Sequence, residues 1–424
     1  MVCFVAQTQT NLNLQPTSFE IGNSQRYLAR QPIMDLRGKV HGYELLFRAG
    51  PEDAFRGDGN LATRTMLDNT LLFGMERLSG GLSAFVNCTQ ESLIEDLVRI
   101  LPSDMTVLEI LENLDPTPSL INACRKLKAS GFRLALDDFV WKPDFEPLVE
   151  LADYIKIDFR QTGPPERQSL FKRLRGVSAT LVAEKIETFE DYKHARQEGF
   201  TLFQGYYFCR PVLLSNPKIP ANKLSQIKIL QLLRSDAIDL GKLTQLVKQE
   251  ASLTYRLLRL ANSPICAIQH EVRSIHTALL MVGENAFRRL AMLAITSELS
   301  AGQPTEILRM AFVRGRFCEL AAAHCALDST EQYLLGMLSL LPAMMRFPME
   351  KLVPELPLRE EICEALEGKV NPERILLRWI ESYERGDWAA CDEAVLAGDL
   401  SQQKLAMHYA ESVTWAEAVM KAAV

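Results

Sequence analysis

The chain has 424 residues, 47% of them hydrophobic, and a formal net charge of −6 at pH 7, which favours two domains and gives no support for direct nucleic-acid binding. The longest apolar stretch, at 334–345, is too short to span a bilayer and contains Pro342, so no membrane segment is expected. The nine cysteines include no CxxC pair, which favours reduced thiols over disulfides or zinc. The N-terminus shows no signal-peptide pattern, so we expect a cytoplasmic protein.

Strand-like and helix-like patterns alternate over residues 25–212, after a tail at 1–24 that is rich in Gln, Thr and Asn and is predicted to be flexible. The first two strands are joined by a short turn at 35–39 and should pair antiparallel as a hairpin. The eight candidate strands are 28–34, 40–47, 83–87, 106–111, 132–138, 154–159, 180–185 and 202–205.

Helical spacing at 62–78, 118–130 and 164–175 separates the later strands, which predicts a mostly parallel sheet with crossover helices. Eight strands in so short a stretch favour a closed (β/α)8-like barrel with an antiparallel first strand. An open doubly wound sheet is the alternative fold. That fold needs a Gly-rich phosphate turn after an early strand, and the sequence has none.

The second half of the chain predicts a separate all-α domain at 213–424, which includes a linker and the C-terminal helices. Helical spacing is clear at 241–264 and 274–299, with Asp239 and Ser274 as N-caps. The linker is indicated by three closely spaced prolines, Pro211, Pro217 and Pro220.

Polar side chains occur where the predicted strands end, and the C-terminal strand ends of an α/β barrel meet at one mouth. A single carboxylate there is usually a solvated loop residue, whereas six oxygen-bearing positions indicate a shared site for Mg²⁺ or Mn²⁺. Asp137 and Asp138 are adjacent, so both reach one site only if their strand ends or bulges there. Lys156 balances charge or acts as a base. The six positions are Glu44, Asn87, Glu109, Asp137, Asp138 and Glu184.

These residues lie in motifs that resemble EAL domains, the phosphodiesterases and receptors of cyclic di-GMP. YELLFR at 43–48 resembles the E-x-L-x-R signature, and FVNCT, LEILE, LDDF, YIKID, AEKIE and QGYYFCRP follow in the expected order over residues 26–212. The resemblance implies metal binding by Glu44, Asn87, Glu109 and Asp137, with Asp138 and Glu184 at a second ion. It places Lys156 beside the attacking water, so Lys156 and Glu184 are catalytic if the barrel is active. It also implies ligand contacts for Gln31, Arg48 and Gln204 and supporting roles for Glu112, Asp158 and Glu187.

The sequence departs from this family pattern after the aspartate pair. Val140 replaces a glycine and the usual polar loop is missing, so Glu112 loses the partner that the family pattern implies. Leu45 replaces the signature alanine, and Lys185 replaces the glycine of a later motif. Because a two-metal hydrolysis needs both ions held rigidly, the sequence predicts a metal-binding barrel more firmly than a working hydrolase.

The helical half resembles the HDOD domain, a relative of the HD-type metal phosphohydrolases, at 253–264, 275–292 and 333–341. No His-Asp dipeptide occurs in the chain, and Ser339 and Leu340 stand where the resemblance places that pair. The histidines His270, His276 and His324 form no convincing ligand cluster. We therefore expect a domain without a metal, which binds a partner helix or a second copy of the protein.

These observations predict a cytoplasmic bacterial signalling protein. Its degenerate EAL barrel binds cyclic di-GMP, a divalent metal or both, and its non-catalytic HDOD domain engages a protein partner. The first alternative is an active Mg²⁺- or Mn²⁺-dependent phosphodiesterase that linearises cyclic di-GMP to pGpG. The second alternative is an interaction scaffold in which both domains are inert.

Overall fold

The computed structural model describes residues 27–48, 75–205, 226, 229, 251–263, 266, 272–356, 358–398 and 400–423. The predicted tail at 1–24, the proline-rich linker, the start of the helix at 62 and the Asp239 cap lie outside the described residues. His270 and the side chain of Arg48 also lie outside them.

Within the described residues, eight strands close into a barrel in chain order. Strand β1 pairs antiparallel with both β2 and β8, and the other neighbouring strands pair parallel. The predicted barrel with an antiparallel first strand is therefore confirmed, and an open doubly wound sheet is excluded. The strands are β1 (Tyr27–Asp35), β2 (Val40–Arg48), β3 (Ser83–Cys88), β4 (Thr106–Ile110), β5 (Arg133–Leu136), β6 (Tyr154–Asp158), β7 (Thr180–Glu184) and β8 (Leu202–Gln204).

Helices cover the outside of the barrel, and their ends follow local capping rules. Thr117 caps α3 by accepting a hydrogen bond from Leu120 N, and Thr188 and Asp191 form a capping box at α6. The described helices of this part are α1 (Met75–Ser79), α2 (Gln90–Ile94), α3 (Pro118–Ala129), α4 (Glu146–Leu151), α5 (Pro164–Arg173) and α6 (Phe189–Glu198).

The barrel interior is filled by apolar side chains below a polar layer. Alternate residues of a strand share a face, so a residue two positions beyond an interior apolar residue also points inward. Val107 is buried in this interior core and Glu109 follows it on β4; Tyr154 and Lys156 are related in the same way on β6. The interior core consists of Ile33, Phe85, Val107, Ala135, Tyr154, Val182 and Leu202.

The second half is helical in its described residues, which confirms the predicted all-α part. Ser274 caps its helix by accepting a hydrogen bond from Thr277 N at 3.0 Å. The pattern at 274–299 forms two helices instead of one, because Gly283 has φ 79° between them. The helices are α7 (Ala251–Ala261), α8 (Ile275–Val282), α9 (Glu284–Leu299), α10 (Thr305–Ala321), α11 (Ser329–Leu338), α12 (Leu341–Met345), α13 (Met349–Leu352), α14 (Glu360–Glu367), α15 (Arg374–Glu384), α16 (Trp388–Gly398) and α17 (Gln402–Ala423).

The chain divides into two compact units that do not follow chain order. One contains Gln25–Pro220 together with Leu299–Glu417, and the other contains Ala221–Glu298 and Ala418–Val424. The barrel thus shares its compact unit with α10 and most of the helices after it, while the domain boundary at 212/213 stays a prediction. Among the described residues, none of the helices combines the length and apolarity that a bilayer crossing requires.

Candidate functional site

The ammonium group of Lys156 lies at the centre of the polar layer and is 1% exposed. Its Nζ is 3.1 Å from Glu44 Oε2 and 2.7 Å from Glu109 Oε1. It is also 2.7 Å from Asp137 Oδ1 and 2.8 Å from Glu184 Oε1. We call Lys156 and these four carboxylates the inner cluster. It joins side chains from β2, β4, β6 and β7 with Asp137, which follows β5 directly.

Burial and crowding set the protonation of the inner cluster. Burial raises the pKa of Glu109 and of Asp137 more than Lys156 lowers it. The pKa of Glu184 is raised to about 8, chiefly by burial. Burial also acts on Glu44, but Lys156 and the hydrogen bonds that Glu44 accepts outweigh it and lower its pKa. One ammonium cannot balance four ionised carboxylates, so burial and crowding favour protonation of some of them, and a further cation would take the place of those protons.

Amide side chains surround the inner cluster and complete the polar layer. Gln204 Nε2 donates to Glu44 Oε2 at 2.6 Å and to Gln31 Oε1 at 3.0 Å, and Asn87 Nδ2 donates to Glu44 Oε1 at 3.2 Å. Among the described residues, Asn87 Oδ1 and Gln204 Oε1 are buried and accept no hydrogen bond. The two carboxylate oxygens of Glu109 also accept none, although one of them forms an ion pair with Lys156. These unpartnered oxygens have the chemistry that Mg²⁺ and Mn²⁺ prefer.

The donor set therefore fits a divalent ion, which Glu44, Asn87, Glu109 and Asp137 would hold. In the described part of the chain, no three Asp, Glu, His or Cys side chains are already spaced to share one metal ion. The carboxylates instead surround the Lys156 ammonium, so metal binding requires these side chains to turn away from it. When bound, the ion would offset the charge of a phosphate ligand.

The second aspartate of the pair belongs to a different group. Strand β5 ends at Leu136, and Asp138 has φ 40° beyond it, so its carboxylate binds Lys185 instead of Lys156. Lys185 Nζ lies 3.2 Å from Asp138 Oδ2 and 2.5 Å from Asp158 Oδ2. We call Asp138 and Asp158 the outer pair. The strand does end where the sequence analysis required, but the two aspartates face different lysines.

The other predicted residues are more peripheral. Glu187 forms an ion pair with Arg160, which keeps it beside the loop after β6. Glu112 is exposed and has no hydrogen bond or ion pair to another described residue. Trp141 packs edge-on against Phe139, with ring centroids 6.4 Å apart, so this side chain of the changed loop joins the core between strands and helices.

Sequence reasoning missed several contacts of the helical part. Ser339, at the position of the HD pair, accepts a hydrogen bond from Arg314 Nη1 at 3.1 Å, and Arg314 also pairs with Glu384 at 2.7 Å. His324 stacks on His408, with their Nε2 atoms 3.0 Å apart. The sequence motif marks Lys185 only as the replacement of a glycine and does not indicate that it binds two aspartates. Charged residues within apolar helical runs were the available signal for Arg314, but no spacing rule indicates its partner.

Comparison with known proteins places these features in a family. A model of the EAL domain matches residues 60–211 and a model of the HDOD domain matches residues 219–368. The chain is 32% identical to the uncharacterized protein YuxH of Bacillus subtilis, covering 93% of this chain and 99% of YuxH. It is also 32% identical to the cyclic di-GMP phosphodiesterase CdgJ of Vibrio cholerae, covering 92% of each. A crystal structure of an EAL domain protein from Listeria monocytogenes is 24% identical over 43% of this chain and 87% of that one, with a TM-score of 0.36.

Proposed function

The chain belongs to the family of EAL–HDOD proteins, and from this premise we propose that it is a bacterial signalling protein whose barrel binds cyclic di-GMP together with Mg²⁺ or Mn²⁺. One observation carries the proposal. The inner cluster holds four carboxylates on one lysine beside the unpartnered Asn87 Oδ1. Such an excess of oxygen donors at a barrel mouth favours a divalent ion and the phosphates that it attracts.

In this proposal the chain's own residues divide the work. Glu44, Asn87, Glu109 and Asp137 hold the ion. Gln31, Gln204 and Arg48 contact the nucleotide. The hydrogen bond between Gln204 and Gln31 supports the proposal that these two side chains contact the same part of it. Two features favour binding without efficient turnover. Val140, two positions after Asp138, replaces a glycine of the family pattern and the polar loop is missing. Lys185 already binds the outer pair.

Turnover to linear pGpG is the second candidate. Two observations favour it: Lys156 and Glu184 are 2.8 Å apart within the inner cluster, and the relative CdgJ is named a cyclic di-GMP phosphodiesterase. In that case Lys156 orients the attacking water and Glu184 assists it.

The helical part is proposed to engage a protein partner or a second copy of the chain, and not to bind a metal of its own. Supporting this, Tyr255 on α7 and Leu280 on α8 are 64% and 69% exposed within one compact unit. Apolar side chains so exposed on helices suit a partner helix. The cytoplasmic location likewise remains a prediction.

Calorimetric titration with cyclic di-GMP, with and without Mg²⁺, tests the proposed function. We expect Mg²⁺-dependent binding that weakens at least about tenfold in Glu44→Gln, because that side chain loses its charge toward the ion. Glu190→Gln on the exposed face of α6 is the matched control and should bind like the wild type.

One outcome contradicts the proposed binding, and a separate assay decides whether the bound nucleotide is hydrolysed. Absence of binding at high micromolar nucleotide would leave the inert scaffold as the remaining reading of the barrel. Prolonged incubation with Mg²⁺ or Mn²⁺ that yields linear product in the wild type but not in Glu44→Gln would establish the phosphodiesterase. Equal product in both proteins would identify a contaminant.

A further inference from the structure

In the part of the chain that the structure describes, six acidic side chains at the barrel mouth form two groups, and each group has its own lysine. Lys156 lies among four carboxylates in the inner cluster. Lys185 lies between the two carboxylates of the outer pair. With all groups ionised, the inner cluster keeps a large excess of negative charge and the outer pair keeps little. The two groups therefore differ sharply in their demand for a further cation.

The backbone directs Lys185 to this position. Its φ of 55° lies in the left-handed region, which costs a residue with a Cβ about 1 kcal/mol or more. From there its Nζ reaches 2.5 Å from Asp158 Oδ2 and 3.2 Å from Asp138 Oδ2. Asp138 is itself left-handed, with φ 40°. Two unfavourable backbone conformations thus bring one ammonium and two carboxylates together.

The outer pair has few acceptor positions left for a metal. Asp158 Oδ1 accepts hydrogen bonds from Arg160 N at 2.7 Å and from Gln161 N at 3.0 Å, while its other oxygen faces Lys185. In contrast, Asn87 Oδ1 in the polar layer is buried and accepts no hydrogen bond from any described residue. At the inner cluster the carboxylates must turn away from Lys156 to bind an ion, but among the described residues unused oxygens already lie beside them. At the outer pair an ion would have to displace the ammonium of Lys185 from both carboxylates.

We propose that Lys185 is a built-in cation that takes the place of a second divalent ion, so that the barrel binds a single ion at the inner cluster. This inference rests on the proposed metal-dependent function, but it concerns the number of ions and can be tested without nucleotide. Two-metal hydrolysis uses ions about 4 Å apart to stabilise both the attacking and the leaving oxygen. A tethered ammonium can offset charge at the second position, but it cannot activate a water there.

The test counts Mn²⁺ ions bound per full-length chain by calorimetry and examines them by electron paramagnetic resonance. Lys185→Met keeps most of the side-chain length without the charge, and Lys185→Gly suits the left-handed backbone. Lys193→Met removes an exposed lysine of α6 and is the matched control. We expect the wild type and the control to bind about one isolated Mn²⁺, and both Lys185 variants to bind about two that are magnetically coupled.

Three results would overturn the inference. These are two ions in the wild type, no ion in the wild type, or variants that keep the wild-type number. The Lys185 side chain is 44% exposed, so its ion pairs contribute little to stability. If they had only a structural role, replacing Lys185 would not change the number of Mn²⁺ ions bound per chain. A barrel that binds one Mn²⁺ but no cyclic di-GMP would support this inference and contradict the proposed function, so the two failures are distinguishable.

Discussion

At the scale of single residues, the stability of the metal-free inner cluster depends on whether its carboxyl groups are protonated. The pKa of Glu184 is raised to about 8, with burial as the largest cause; Lys156 opposes the rise, and Asp137 and Glu44 add to it. Its ordinary pKa is 4.5. Between these values the native state holds a proton that the unfolded chain releases. The free energy of unfolding therefore falls as pH rises through this window, and the loss is complete above it.

We predict that the melting temperature of the metal-free protein decreases between about pH 5 and about pH 8, and that Glu184→Gln makes the decrease shallower. Glutamine keeps a polar group near Lys156 but adds no charge when pH rises. Thermal unfolding followed by circular dichroism across this range measures the slope, with Glu190→Gln on α6 as the control. An unchanged slope in Glu184→Gln would show that this carboxyl is not the titrating group.

At the scale of elements, β1 and β2 have a polar outer face that meets α10 and α17. Tyr43 OH donates to Glu306 Oε2 at 2.9 Å and also contacts Arg309. Arg30 and Arg309 both reach Glu417 Oε1, at 3.1 Å and 3.3 Å. Tyr43 immediately precedes the inner-cluster residue of β2, so the helices brace the strand that carries this carboxylate.

Removing one member of this network should destabilise the whole unit. We predict that Arg309→Met lowers the free energy of unfolding by about 3 kcal/mol, because it leaves the buried carboxylate of Glu306 without its ion-pair partner. Tyr43→Phe, which removes the hydrogen bond to Glu306 and the one accepted from Arg309, should cost about 1–2 kcal/mol. Chemical denaturation measures both changes. Arg378→Met, in an exposed pair with Glu393, is the control and should change stability by less than about 1 kcal/mol. Equal effects of Arg309→Met and Arg378→Met would contradict the role of the network.

At the scale of the whole molecule, the barrel and the helical residues Leu299–Glu417 share one compact unit. The backbone N–H of Leu28 in β1 donates to Tyr383 OH at 2.9 Å, across 355 residues of sequence. Gly386 has φ 70°, and a Cβ there would lie 2.8 Å from Leu46 Cδ1, so the chain after α15 packs closely against β2. These contacts make the barrel depend on a distant part of the chain.

We therefore predict that a chain shortened to residues 1–212 melts at a temperature lower than that of the full chain by on the order of 10 °C. For a domain of this size, each kcal/mol of unfolding free energy that is lost lowers the melting temperature by roughly 2–4 °C. Differential scanning calorimetry of the two proteins measures the difference. If the shortened chain melted at the same temperature, the predicted boundary at 212/213 would mark an independently stable barrel.

Much of the barrel was predictable because strand geometry is local. Side chains two positions apart share a face, so Glu109, Lys156 and Glu184 could be placed at one mouth from their spacing alone. The short turn after β1 likewise predicted the antiparallel hairpin. What spacing could not predict was the assignment of partners, since Asp137 and Asp138 are adjacent but face different lysines.

By itself, the sequence determined the class of fold, the order of its strands and the set of oxygen-bearing side chains at the barrel mouth. These follow from periodicity and strand ends, which depend on covalent geometry within a few residues. Only the tertiary structure decided that Lys185 binds the outer pair and that Tyr43 meets Arg309 across 266 residues. The reason is physical: a left-handed backbone angle and a long-range contact depend on how the whole chain packs, and no local pattern encodes them.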